Sequence, residues 1–200
     1  MIAIIDYDAG NLRSVEKALL QLGEEVIITR DKEQIFNADK VILPGVGHFC
    51  DAMNKLHQYQ LVEVVKEIVA KKTPFLGICL GMQMLFERSE EGGVEGLSIL
   101  EGEILRIPDH PGLKIPHMGW NSLTIKEGAK LYQGISQNAY VYFVHSYYLK
   151  AKNRGDVAAT THYSTQIDAS IERDNIFGCQ FHPEKCGDVG LKILKNFANL

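Results

Sequence analysis

Pro74-Phe75-Leu76-Gly77-Ile78-Cys79-Leu80-Gly81-Met82-Gln83-Met84-Leu85 decides how the rest of the chain is read. The apolar run Phe75 to Ile78 reads as a buried strand, and Leu80 to Phe86 as a helix. Between them stands Cys79, with Gly77 and Gly81 two residues to either side. G-x-C-x-G is the sulfur form of a nucleophile elbow, a sharp strand-to-helix turn that lifts a reactive side chain above a sheet edge. Such a turn needs unusual backbone angles and close backbone approach, both of which glycine tolerates. A cysteine at a helix N-terminus also feels the positive end of the dipole, which favours its thiolate. The competing reading is a structural cysteine in an apolar strand, because cysteine is among the most buried residue types.

Moving outward, strands are expected at Ile2 to Ile5, Glu25 to Thr29 and Lys40 to Leu43. Helices are expected at Leu12 to Leu22, near His48 to Leu56, and at Leu61 to Lys71. Asn11 stands where it could cap the first helix. Strands alternating with helices imply right-handed crossovers and a mostly parallel sheet. The second half reads as short strands at Glu103–Ile107, Ser122–Lys126, Ala139–His145, Asp156–His162, Ile167–Arg173 and Ile176–Phe181. A closing helix is expected over Gly187 to Leu200. The fold class is therefore α/β: a mostly parallel central sheet with flanking helices and an additional antiparallel strand region. With no linker or repeat in sight, residues 1–200 are expected to form a single domain.

Composition narrows the function. A net charge of −4 offers no general attraction to nucleic acid. No run of 18 apolar residues is present, so no membrane span is expected. Met1 to Asp6 reaches an acid at once and reads as a first strand rather than a signal peptide. Cys50, Cys79, Cys179 and Cys186 show no C-x-x-C spacing, which suits free thiols in the cytoplasm. His182 and Cys186 sit four apart with no second ligand pair, so neither a metal nor a cofactor is expected.

A cysteine nucleophile needs a base and a group to orient that base. Phe181-His182-Pro183-Glu184 supplies both: in extended chain the His182 and Glu184 side chains share a face. The alternative is a loop histidine beside a surface glutamate. Pro44-Gly45-Val46-Gly47 follows a strand, and its N–H groups, with that of Leu80, could receive an oxyanion; alternatively it is an ordinary turn. If their strands run in one direction, all three loops meet at one carboxyl edge.

These motifs resemble the class I, triad-type glutamine amidotransferases. More narrowly, Pro44-Gly45-Val46-Gly47 and Pro116-His117-Met118-Gly119-Trp120-Asn121 resemble the glutaminase subunits of imidazole glycerol phosphate synthase. Asp6-Tyr7-Asp8-Ala9-Gly10-Asn11, Phe143-Val144-His145-Ser146-Tyr147 and Gln180-Phe181-His182-Pro183-Glu184-Lys185 extend the likeness along the chain. Cys186 departs from the serine expected there. The resemblance implies that Cys79 attacks the amide of glutamine, with His182 as base and Glu184 as its support. It implies that Gln83, Ser146, Tyr147 and Gly47 hold the glutamine. Its ammonia would pass to a (β/α)8-barrel cyclase subunit in a heterodimer, which makes imidazole glycerol phosphate and AICAR in histidine biosynthesis. Trp120, Asn121, Tyr142 and the Gly10-Asn11 loop would be interface and gating residues. Alternatives are an amidotransferase serving a bacterial surface-sugar pathway, a cysteine peptidase or deglycase-like hydrolase, and a non-catalytic binding module.

Overall fold

A computed structural model describes residues 1–200. The first half consists of β1 (Ile2–Ile5), α1 (Leu12–Gln21), β2 (Val26–Thr29), α2 (Lys32–Phe36), β3 (Lys40–Gly45), α3 (Phe49–Gln58), α4 (Leu61–Ala70), β4 (Phe75–Cys79) and α5 (Leu80–Gln83). Then come β5 (Arg88–Ser89), β6 (Val94–Glu95), β7 (Gly102–Arg106), β8 (His117–Ser122), β9 (Thr124–Ile125), β10 (Tyr140–His145) and β11 (Tyr147–Ala151). The chain closes with β12 (Val157–Tyr163), β13 (Thr165–Arg173), β14 (Ile176–Cys179) and α6 (Gly187–Ala198).

One eight-stranded sheet runs in the order β2-β1-β3-β4-β14-β13-β12-β9. Its first five strands are parallel and the remainder antiparallel. The expected fold class holds. The parallel strands are covered on both faces, which is why they read as unbroken apolar runs. Ala3 and Ile5 of β1, with Val41 and Leu43 of β3, turn to one face and pack under α3 and α4. Ile2, Ile4 and Ile42 turn to the other, under α1 and α6. No helix is long and apolar enough to cross a membrane.

Several expectations need correction. The helix after Cys79 is a single turn, Leu80–Gln83, and does not reach Phe86. Asn11 is the N-cap residue of α1 but makes no side-chain capping bond. α2 went unread, although Asp31 caps it by accepting from the Gln34 N–H at 2.9 Å. β3 runs two residues further than expected, taking Pro44 and Gly45 into the sheet. β8 and β11 also went unread; the first pairs with β10 as a two-stranded antiparallel ribbon, the second with β7.

Candidate active site

Cys79 ends β4 with φ +54° and ψ −112°, outside the angles a side-chain-bearing residue prefers. The strain expected of the elbow thus falls on Cys79 rather than on its glycines. Gly77 and Gly81 have the other role, close approach. A Cβ on Gly81 would lie 1.8 Å from the Leu43 carbonyl oxygen, and one on Gly77 would lie 2.7 Å from the Met82 backbone. β3, β4 and the elbow are therefore pressed together without room for a methyl group. With α5 one turn long, the dipole support expected for the sulfur is small.

The parallel registers bring the ends of β3, β4 and β14 to one edge: Gly45 pairs with Cys79, and Cys179 with Ile78. Beyond that edge His182 enters a tight turn over Pro183–Lys185, so the chain is not extended between His182 and Glu184. The pair forms all the same, with His182 Nδ1 2.8 Å from Glu184 Oε1. Both side chains are buried, at 2% and 1% exposure, so the carboxylate acts on the ring without solvent screening. Burial alone would lower the His182 pKa; the Cys79 sulfur and Glu184 outweigh it and raise it to about 9. His182 Nε2 has no hydrogen-bond partner within the chain. The sulfur is near enough to raise the pKa while lying outside hydrogen-bond geometry.

Cys79 and His182 line one cavity of about 300 Å³. Its walls include Val46, Gly47, Leu80 and Gln83 on the elbow side, and Val144, His145, Ser146 and Tyr147 opposite. Glu91 stands in the same lining, its two oxygens near His48 Nδ1 (3.1 Å) and the Phe49 N–H (2.8 Å). The volume suits a ligand of amino-acid size.

A model of the class-I glutamine amidotransferases matches residues 3–199. The chain belongs to that family. A relative from Caldanaerobacter subterraneus subsp. tengcongensis, named imidazole glycerol phosphate synthase subunit HisH, is 53% identical over 201 residues, spanning 100% of this chain and 98% of its own. One of the same name from Methanocaldococcus jannaschii is 49% identical, spanning 100% of both chains. In fold, the amidotransferase matches a glutamine amidotransferase crystal structure with TM-score 0.76 at 19% identity, over 99% of this chain and 100% of that one. It matches the glutaminase domain of Trypanosoma brucei CTPS, with acivicin bound, at TM-score 0.68 and 17% identity, over 99% of this chain and 93% of that one.

Within this amidotransferase the expected residues divide by position. Gly45 lies beneath the cavity, where a Cβ would come within 2.8 Å of Gly81 N, Leu80 Cβ and Tyr7 Oη. Gly47 (φ +94°) has open space around it. Gly10 (φ +107°) packs against Pro44, so the Gly10-Asn11 loop braces the strand that carries Gly45. Trp120, Asn121 and Tyr142 lie on the β8–β10 ribbon, outside the cavity lining. Trp120 is 56% exposed and meets Tyr142 edge to face.

Four groups escaped the sequence reading. Gln180 is fully buried, accepts from Gln83 Nε2 at 2.8 Å and stands 3.6 Å from the Cys79 sulfur. Tyr7 donates to the Pro44 carbonyl at 2.9 Å and holds the end of β3 from below. Glu91 and His145 enter the lining. Gln83 differs from expectation in that both its N–H groups are used within the chain, by Tyr147 O and Gln180 Oε1. Only its carbonyl oxygen remains for a ligand. Cys186 donates to the His182 carbonyl at 3.0 Å and accepts from the Tyr142 N–H at 3.1 Å. Burial pushes its thiol up to about 12.

Proposed function

We propose that residues 1–200 act as one amidotransferase domain, the glutaminase subunit of imidazole glycerol phosphate synthase. The observation that carries this is the placement of strained Cys79 and of His182, itself held by buried Glu184, on one cavity of amino-acid size. Full-length identity near 50% to chains bearing that subunit's name supports the histidine pathway over the surface-sugar alternative.

Cys79 attacks the side-chain amide carbon of glutamine as its thiolate. The developing oxyanion is received by N–H groups of Leu80 and the Val46-Gly47 peptide. His182, protonated at neutral pH, gives its proton to the departing ammonia, and Glu184 holds the ring in place for the transfer. His182 then takes a proton from water, which hydrolyses the γ-glutamyl thioester to glutamate. Gln83, Ser146 and Tyr147 hold the glutamine, and the Glu91 carboxylate at the cavity suits its α-ammonium.

The ammonia must leave before water protonates it, so the acceptor site belongs to a partner. The exposed Met118, Trp120 and Tyr140 on one ribbon offer that partner an aromatic anchor. We place a (β/α)8-barrel cyclase there, in a cytoplasmic heterodimer. Replacing Cys79→Ala in the assembled enzyme tests the whole reading. Glutamine-dependent synthesis should fall to background, while synthesis from added ammonia continues. Retained glutamine hydrolysis would remove Cys79 from its role, and failure to bind a barrel partner would remove the pathway assignment.

A further inference from the structure

Two histidines that the chemistry above does not use are buried on the ribbon beside the cavity. His117 is 3% exposed and His145 6%. The His117 ring is stacked between Phe143 and Tyr163, with centroids 4.8 and 4.0 Å away. Burial lowers the His117 pKa to about 4 and that of His145 to about 3, so both rings are neutral near pH 7.

Their partners fix where the protons sit. The Tyr147 carbonyl can only accept, and it lies 2.8 Å from His145 Nδ1, so that nitrogen carries the hydrogen. His145 Nε2 is then an acceptor, and His117 Nδ1, 3.0 Å away, donates to it. His117 Nε2 is in turn an acceptor, 3.4 Å from Asn121 Nδ2. The Asn121 amide is oriented independently: its Oδ1 accepts from the Ser122 N–H at 2.8 Å, and its Nδ2 donates to the His162 carbonyl at 3.0 Å. The result is a chain with one direction, from Asn121 through His117 and His145 to the Tyr147 carbonyl. That carbonyl also accepts from Gln83 at 2.9 Å. Gln83 donates onward to Gln180, which reaches the Cys79 sulfur.

We propose that His117 and His145 are positioning residues for glutamine, holding the Tyr147 carbonyl and, through it, the Gln83 side chain at the geometry the substrate needs. This rests on the reading of Gln83, Ser146 and Tyr147 as the wall that holds glutamine. Ring stacking by itself does not call for histidine here, because phenylalanine would stack as well. A donor and an acceptor on one planar ring, twice in series, is what the imidazoles add. The chain also begins at Asn121, next to exposed Trp120, so the wall is tied to the surface offered to the partner.

The test compares two alkylating reagents on the full chain. Diazo-oxo-norleucine is shaped like glutamine and must occupy its site; iodoacetamide is small and needs only the sulfur. His117→Phe preserves the stack and leaves His145 Nε2 without a donor. Its half-saturation concentration for the glutamine-shaped reagent should rise about tenfold or more, with iodoacetamide rates within about twofold of the unsubstituted chain. His117→Asn, which can place an amide N–H where Nδ1 stands, should recover most of the loss. An unchanged half-saturation concentration in His117→Phe, or an equal loss toward both reagents, overturns the proposal. Should the unsubstituted chain fail to react with the glutamine-shaped reagent even with partner and acceptor bound, the glutaminase reading falls first and takes this proposal with it. Nitrogen-15 imidazole spectra of the unsubstituted chain give a second measurement that no folding defect can obscure. Both rings should be neutral with hydrogen on Nδ1; an Nε2–H tautomer at either residue overturns the chain.

Discussion

Cys79 and His182 show how much of the chemistry rests on local environment. The positive φ of Cys79 costs on the order of 1–3 kcal/mol, and it persists because Gly77 and Gly81 let β3 and β4 close around it. The His182 pKa is raised from 6.5 to about 9. A raised folded value stabilises the protein fully below the unfolded pKa, and that contribution is lost as pH rises through the folded one. The window is therefore pH 6.5 to about 9, and stability should decline across it. His182→Gln should flatten the decline, as read by chemical denaturation at several pH values. Glu184→Gln removes a carboxylate that raises the ring pKa, so imidazole NMR should find His182 titrating lower. Its turnover should fall less than that of His182→Ala, because Glu184 acts through the base; losses in the reverse order would sink the assignment. The contact between His182 and Glu184 was legible because the two are two residues apart in sequence and 2.8 Å apart in space. Gln180 was not, because its contacts are with Gln83 and Cys79, about a hundred residues away.

At the scale of elements, the elbow is where sequence and structure differ most usefully. Leu80 to Phe86 is buried all round, so its apolar pattern cannot distinguish a full helix from one turn followed by irregular chain. β8 was hidden for the opposite reason. It buries His117 and exposes Met118 and Trp120, reversing the usual alternation of apolar inside and polar outside. α2 did carry a signal, since Asp31 followed three residues later by Gln34 has the spacing of a capping box. The packing of the elbow makes a sharp prediction. Gly81→Ala would drive a Cβ into the Leu43 carbonyl, a rigid backbone group that cannot turn aside, so β3 and the elbow must separate. The chain should lose about 3 kcal/mol or more and fail to purify as a stable fold, while Gly128→Ala, where no atom lies within 4 Å, should cost only its φ of +79°. Equal melting temperatures for the two variants would mean that the close approach does not constrain the elbow.

For the whole molecule, the function proposed above carries a cost: a glutaminase that ran without a waiting acceptor would waste nitrogen. The β8–β10 ribbon touches the site twice: the Tyr142 carbonyl accepts from the His182 N–H at 3.2 Å, and the end of β10 supplies the wall around Ser146. The third side of the cavity is the Val46-Gly47 peptide. Val46 is 41% exposed and Gly47 has open space around it, whereas Gly45 is clamped by Gly81, Leu80 and Tyr7. Any rotation that completes the oxyanion site must therefore occur beyond Gly45, at the Val46-Gly47 peptide. We expect the isolated chain to hydrolyse glutamine slowly. One oxyanion donor is worth ~10²–10³ in rate, so partner plus acceptor should accelerate it by about that factor. Gly47 is the residue with which to test this, because its φ of +94° disfavours any side chain while no neighbour would be struck. Gly47→Ala should fold, with a melting temperature lowered about as much as in Gly128→Ala, be alkylated normally at Cys79, and lose about tenfold or more of the activation. Steady-state hydrolysis by the chain alone, with partner, and with partner plus acceptor decides the matter. Equal rates in all three would rule out the loop as a switch while leaving the Cys79, His182 and Glu184 assignment intact.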